Sequence, residues 1–386
     1  MLYKNEMTNP DLTVQDQIEK FGVDFLGIIT IQVLNYSKKE IGLIESYFNT
    51  KIKKINSDPD IIIKFVDEIK SAYMVYLGLN YAGFDKNNFY ILVDQEEKRK
   101  VIIPFDKIGD TIEIVCEKGI NSVPLLNHII NFYLIKKNFV PIHSSALYYN
   151  QKGLLVMGWT KGGKTETLLS FLNHGAQYVG DEWVVLSADG SEMYGLPVPI
   201  TIWKWQLTYV KKLIGKIDFN SRIIFIFVEM LELLYKISLK LKLQSVFPFQ
   251  LLTRALPQFR KLLKIRKKPS SIFKNQIKNG KTKLNTIILA FSHTSNDITV
   301  EKCDSSEISD RMMHSNDYEQ IPFFEYYKTF RYAFPEKTNV FLDNIKERHS
   351  SLLAKALTGK KSFKVSHPYP VSFEELFLKL NSVLDE

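Results

Sequence analysis

Gly153–Leu172 reads GLLVMGWTKGGKTETLLSFL, an apolar run, a cluster of glycine, lysine and threonine, then a second apolar run. The first run is short and continuous, as in a buried strand, and the second has the spacing of an amphipathic helix. Between them, Gly158, Trp159, Thr160, Lys161, Gly162, Gly163, Lys164 and Thr165 satisfy the spacing G-x-x-x-x-G-K-[ST]. Glycine allows the tight turn and lets main-chain N–H groups approach an anion without a Cβ in the way. The start of the following helix adds partial positive charge at the same point. Lys164 would neutralise β- and γ-phosphates, and the Thr165 hydroxyl would be one ligand of Mg²⁺. The expected occupant is therefore a nucleoside triphosphate, ATP or GTP. The plainer reading of the same residues is a polar turn between two core elements.

The neighbouring sequence continues an α/β grammar. HSSALYY (143–149) reads as a strand, NQKG as a turn, and LLVMG (154–158) as the strand before the loop. KTETLLSFLNH (164–174) is the helix, stopped by Gly175, and AQYVGDEWVVL (176–186) is the next strand. Asp181 and Glu182 fall at the end of that strand. In a parallel sheet, adjacent strands present their C-terminal ends on one side, where ligands bind. A carboxylate there would hold Mg²⁺ or take a proton from an incoming hydroxyl, and an acidic turn is the alternative. SADGSE (187–192) reads as a hairpin turn, with Asp189 and Glu192 as further metal ligands the other option.

Residues 141–203, with His143, the 158–165 loop, Glu166 and Asp181-Glu182 in that order, resemble the catalytic core of the HPr kinase/phosphorylase family. The resemblance implies a phosphoenolpyruvate-carboxykinase-type P-loop kinase core. It also implies that Asp181 is the general base that deprotonates the acceptor hydroxyl and that His143 lies near the phosphates. Glu182 stands where the family has a second aspartate, which keeps the charge and lengthens the arm. On its residues alone, His143 reads equally as a satisfied histidine at a strand start. No arginine occurs within the Pro-x-Pro stretch GLPVPITIW (195–203), and no counterpart of the family's C-terminal glycine- and arginine-containing loop is found. The missing loop and the insertion described next argue against HPr as substrate and against the reverse, phosphorolytic reaction. A homo-oligomer is what the resemblance suggests for assembly.

The chain has 386 residues, 45% hydrophobic and 24% charged, which suits a globular protein with a real core. Strand-like pieces at 24–35, DIIIKFV (60–66), FYILVD (89–94), KVIIPF (100–105) and TIEIVCE (111–117) suggest a small N-terminal α+β domain over 1–120. VPLLNHIINFYLIKKN (123–138) reads as a helix with Pro124 at its start, and 121–386 is expected to form the kinase-like domain. The net charge of +9 is concentrated: residues 236–283 hold 14 Lys plus Arg and no acid, leaving 37 basic and 42 acidic residues elsewhere. Residues 206–283 therefore read as a helical, basic insertion. Its roles are a lid with Arg254 or Arg260 supplying cations, a docking face for an acidic peptide or phosphorylated metabolite, a surface lying on an anionic membrane, or a plain solvated hairpin. No nucleic-acid motif accompanies it, and none is expected as partner. LNTIILAFS (284–292) resumes as a strand, and two helices around a strand KSFKVSH (361–367) close the chain.

Two widely spaced cysteines, Cys116 and Cys303, exclude a disulfide framework or a cysteine metal site, and the polar N-terminus lacks an apolar signal stretch. A cytoplasmic enzyme is expected. The function read from the sequence is transfer of the γ-phosphate of ATP or GTP to a hydroxyl of a peptide, protein serine or small molecule. Catalysis would rest on Asp181, Lys164 and His143, with Thr165, Asp181 and Glu182 on the metal. A nucleotide-binding switch without transfer is the rival.

Overall fold

A computed structural model describes residues 19–384, apart from 72, 79–80, 94–97, 197, 211–214, 216, 244 and 279. Most of the polar N-terminal stretch, residues 1–18, lies outside the described residues. The chain folds as mixed α/β.

The N-terminal strands are β1 (Phe21–Phe25), β2 (Ile29–Leu34), β3 (Lys53–Lys54), β4 (Ile61–Val66), β5 (Val75–Leu77), β6 (Ala82–Phe84), β7 (Phe89–Val93), β8 (Arg99–Ile102) and β9 (Ile112–Glu117). They form one sheet in the order β3-β1-β2-β4-β9-β8-β7-β6-β5, with helix α1 (Lys38–Phe48) between β2 and β3. The expected single strand over 24–35 is instead a hairpin. Leu26 and Gly27 both take positive φ, 61° and 69°, and turn the chain between β1 and β2. Helix α1 begins with a capping box, in which Ser37 accepts from Lys39 N and Glu40 bonds back to Ser37 N. Helix α2 (Leu126–Lys136) starts two residues after Pro124, because Leu125 adopts a left-handed conformation. It is buried along most of its length and shares one core with β1, β2, β4 and β9.

The sheet that carries the site runs β13-β11-β12-β19-β21-β20. Its strands are β11 (Ser145–Tyr149), β12 (Lys152–Met157), β13 (Gln177–Gly180), β19 (Thr286–His293), β20 (Thr299–Lys302) and β21 (Lys361–Pro368). Strands β12, β19 and β21 are parallel, so their C-terminal ends share one edge. Helix α3 (Lys164–Asn173) packs on the sheet with α11 (Phe373–Leu384), burying Leu168, Leu169, Phe171 and Leu172 against Leu147, Leu154, Val156 and Phe377. Each such side chain contributes roughly 1.5–3 kcal/mol of transfer free energy on burial. Strands β12 and β13 are not neighbours, because β11 lies between them, antiparallel to both. They still point the same way, so β13 delivers its C-terminal end to the edge where β12 ends.

The expected strand 176–186 is broken at Asp181-Glu182. Its first half is β13, and its second half is β14 (Val184–Leu186), which joins a separate sheet in the order β10-β14-β15-β18 with β10 (Val140–Ile142), β15 (Glu192–Gly195) and β18 (Lys281–Lys283). Glu182 sits at φ 69° at the break.

The stretch 206–283 is helical in part only. It holds α5 (Phe219–Lys240), α6 (Phe249–Arg260) and the single turn α7 (Pro269–Ile272), but also β17 (Lys264–Lys267), which pairs antiparallel with β16 (Ile200–Trp203). The expected basic amphipathic piece 256–271 therefore divides into a helix end, a strand and a turn. A one-turn helix α4 (Lys204–Leu207) follows β16 directly. Helix α8 (Ser305–Ala333), unforeseen in the sequence, is capped by Asp304 accepting from Ser306 N. Its Phe323, Tyr327 and Phe330 enter the core under the N-terminal sheet, while Met312 and Met313 pack with β10 and β12. Helices α9 (Val340–Asp343) and α10 (Ile345–Leu357) complete that side.

Candidate functional site

The loop 158–165 leaves the end of β12 and closes onto the start of α3. Gly158 takes φ 147° and a Cβ there would fall 2.5 Å from the carbonyl oxygen of Ala290 on β19. Gly163, the N-cap of α3, takes φ 109°. Neither conformation suits a side chain. Lys164 is buried, and its ammonium donates to the carbonyls of Gly158 (3.0 Å) and Trp159 (2.9 Å), folding back across the loop. Burial lowers its pKa from the ordinary lysine value, against the attraction of Asp181 and Glu182.

Asp181 reaches the same place from the end of β13. The Thr165 hydroxyl stands 3.3 Å from both Asp181 carboxylate oxygens, and Ser145 Oγ donates to Oδ1. Asp181 is 2% exposed. Burial, with the charge of Glu182 beside it, pushes its pKa up to about 7. Glu182, beside it on the same cleft, meets His143, whose Nε2 lies 3.2 Å from its Oε2. The opposite ring nitrogen of His143, Nδ1, lies 2.9 Å from Oε1 of Glu319 on α8. Burial pulls the His143 pKa down, but the two carboxylates outweigh it and hold the imidazole above its ordinary value. The hydrogen bond from His143 in turn lowers the Glu182 carboxyl. The main-chain N of His143 also donates to Asn316 Oδ1 at 3.3 Å.

These groups line one cleft of about 240 Å³. Of the residues read from the sequence, His143, Thr160, Lys161, Gly163, Lys164, Thr165, Glu166, Asp181 and Glu182 open onto it. Gly158 and Gly162 instead shape the loop against Ala290. Trp159 is 47% exposed and leans on Tyr318 of α8, ring centroids 5.0 Å apart. Asp189 and Glu192 lie off the cleft. Asp189 accepts from Ser187 and Ser191 in the turn between β14 and β15, and Glu192 pairs with Lys281 at 2.8 Å. Arg254 and Arg260 do not reach the cleft either, and Arg260 is held by Glu232 at 2.9 Å. The basic segment's cation at the cleft is Lys264 of β17, whose ammonium lies 5.6 Å from the ring centroid of Trp203, with Lys161 at 5.9 Å from the same ring.

Sequence reading missed Ser145, Thr201, Trp203, Gln206, Lys264, Glu319, His367 and Tyr369. Ser145 alone had a local signal, a hydroxyl at the start of a strand beside the one that ends in Asp181. The others come from remote segments. Gln206 Nε2 donates to Glu166 Oε1 at 2.9 Å while its Oε1 accepts from Trp203 N at 2.8 Å, so both ends of a buried amide are satisfied.

The donor set here is oxygen: one hydroxyl and two adjacent carboxylates. That chemistry suits a hard divalent cation that keeps several waters. Among the described residues no group of three or more His, Cys, Asp or Glu is placed to hold a metal by itself. Nor is any helix among them long and apolar enough to cross a membrane.

No family model matches the chain. Over 186 residues it is 25% identical to the HPr kinase/phosphorylase of Mycoplasmopsis pulmonis (strain UAB CTIP). The similarity takes in 48% of this chain and 54% of the relative, so the chain spans about half the length of the curated relative it matches. The relationship to that family is a weak one, and it hints at kinase-type chemistry.

Proposed function

We propose that this protein is an ATP- or GTP-dependent phosphotransferase with a hydroxyl acceptor. The observation that carries the reading is the meeting of Thr165, Asp181 and Lys164 in one cleft at the edge where β12 and β13 end. The main-chain N–H groups of the 158–165 loop and the first turn of α3 would bind the triphosphate, with Lys164 exchanging its two carbonyl partners for phosphate oxygens. The similarity to an HPr kinase/phosphorylase supports ATP and Mg²⁺ as the cofactors. Thr165 and Asp181 would hold the ion, with waters and phosphate oxygens completing its shell. Glu182 is a weaker ligand candidate because His143 already engages its carboxylate. When bound, Mg²⁺ supplies charge neutralisation on the phosphates.

Asp181 would take the proton of the acceptor hydroxyl as its oxygen attacks the γ-phosphorus, the bond to the bridging β,γ-oxygen breaks and the nucleoside diphosphate leaves. A carboxyl lifted toward neutral pH is a better base than an ordinary aspartate, because its affinity for the proton is matched to the working pH. His143, held between Glu182 and Glu319, places a positive charge beside the developing negative charge of the transferring group. Lys264 and Lys161 flank the open side of the cleft and would meet further anionic groups. The acceptor is a peptide, a protein serine or a metabolite, and HPr is the least favoured. Incubation with γ-labelled ATP or GTP and a cell extract, followed by identification of the labelled molecule, tests the reading. Label passing only to water, with no acceptor in extract or in purified form, would favour a switch.

A further inference from the structure

Helix α5 packs alongside α6 and buries Phe225, Val228 and Ser238, Phe225 within the core that holds α3 and β16. At 100° per residue, the direction opposite to these belongs to Phe219, Ile223, Ile226, Met230, Leu233 and Ile237. They follow one another at alternating spacings of four and three, a continuous apolar seam along one side of the helix. All six are exposed, from 42% for Ile237 to 75% for Phe219. Beyond the helix end, Phe247 at the turn into α6 is also 75% exposed. The outward side of a water-facing helix ordinarily carries charge, and an apolar strip of this length marks a surface that something covers.

Charge says what covers it. Residues 219–268 hold eleven Lys plus Arg and two acids, Glu229 and Glu232. Both acids are already engaged, Glu229 by Lys204 and Glu232 by Arg260. A second copy of this chain would bring a segment of the same sign to the seam, so self-pairing is opposed. A surface that is negative outside and apolar beneath answers both features. We propose that the α5–α6 hairpin seats on an anionic phospholipid bilayer, with α5 lying in the plane of the interface and its seam turned to the acyl chains. Lys236, Lys240 and Lys242, at the end of α5, face the headgroups. The hairpin lies on the membrane and does not span it, consistent with the absence of a crossing helix among the described residues.

Vesicle flotation with the full chain tests this. The protein should float with phosphatidylcholine vesicles containing phosphatidylglycerol, not with phosphatidylcholine alone, and high salt should release it. Ile226→Glu/Leu233→Glu and Lys236→Glu/Lys240→Glu should each weaken binding at least about tenfold, with unchanged circular dichroism and melting, since all four sites are exposed. If either double variant fails to fold, the comparison of the two vesicle types with the parent protein still decides. Absence of flotation, or flotation indifferent to phosphatidylglycerol and salt, overturns the proposal. So does a dimer in solution that Ile226→Glu/Leu233→Glu disperses, because the seam would then belong to a second copy.

Discussion

His367 stands directly over Gly163, so that a Cβ at position 163 would fall 1.9 Å from its Nε2. The imidazole is fully buried at the end of β21, and its Nδ1 lies 2.8 Å from the carbonyl of Pro368. Gly163→Ala meets both this contact and a φ of 109°. It should destabilise the fold by roughly 1–3 kcal/mol from backbone strain alone, with the clash in addition. Chemical denaturation checks this. Gly163→Ala/His367→Ala should recover the part due to the clash and keep the part due to φ. A Gly163→Ala protein as stable as its parent would contradict the loop geometry.

Lys164 and Asp181 should separate binding from chemistry. In Lys164→Ala the rise in melting temperature with Mg-ATP should vanish, whereas the parent gains about 2.7 kcal/mol at a hundredfold excess of ligand over Kd. Asp181→Asn should keep affinity for the metal-free nucleotide, weaken the gain from Mg²⁺, and lose transfer by about 10²–10⁴-fold in kcat. Calorimetric titration and single-turnover kinetics provide the two readouts. Equal loss of affinity in both variants would make Asp181 a binding group, not the base.

Above the ordinary imidazole pKa the pH dependence follows from two buried groups that act in the same sense; below it, His128 and His349, whose pKa values burial lowers, act against them. With its carboxyl at about 7 in the fold, Asp181 binds a proton that the unfolded chain has already released above its ordinary carboxylate range. Its contribution to stability is full below that range and is lost as pH rises through about 7. The pair of carboxylates around His143 acts likewise: its contribution is present below the ordinary imidazole pKa and disappears above the raised one. Melting temperature should therefore fall as pH rises from the ordinary imidazole pKa into the mildly alkaline range, while kcat/KM for transfer rises as Asp181 ionises. Asp181→Asn should flatten the first trend. Melting curves that climb over the same range would reverse the assignment.

Glu319 tests the histidine. Removing its charge in Glu319→Gln leaves Glu182 as the remaining carboxylate beside the His143 ring, and the titration midpoint of His143, followed by NMR, should move down. Activity should fall most at the alkaline end of the profile, where the variant's imidazole is neutral. A midpoint that stays put would show that Glu319 does not contribute to the imidazolium.

Much of this site is local in sequence and was legible for that reason. The glycines, Lys164 and Thr165 lie within one turn between a strand and a helix, and the structure puts the strand at 152–157 and the helix at 164–173. Asp181 at a strand end was equally plain. What periodicity could not give was the strand order: β11 sits between β12 and β13, a fact carried by long-range pairing alone. The break at Glu182 was hidden because apolar residues continue on both sides of it, into two different sheets. Helix α8 escaped because its buried face mixes polar residues such as Ser315, Asn316 and Gln320 with the apolar ones, blurring the 3.6-residue signal. With it went Glu319. In the basic segment, charge masked Ile265, whose burial marks β17 as a strand.

The buried amide of Gln206 joins α4, the first turn after β16, to the carboxylate at the head of α3. The same side chain accepts from Trp203 N at the end of β16, so one amide ties the start of α3 to that strand. Whatever shifts the first turn of α3 must carry that strut with it or break it. Without Glu166 the Gln206 amide nitrogen would be left buried and short of this acceptor, at a cost of roughly 1–3 kcal/mol.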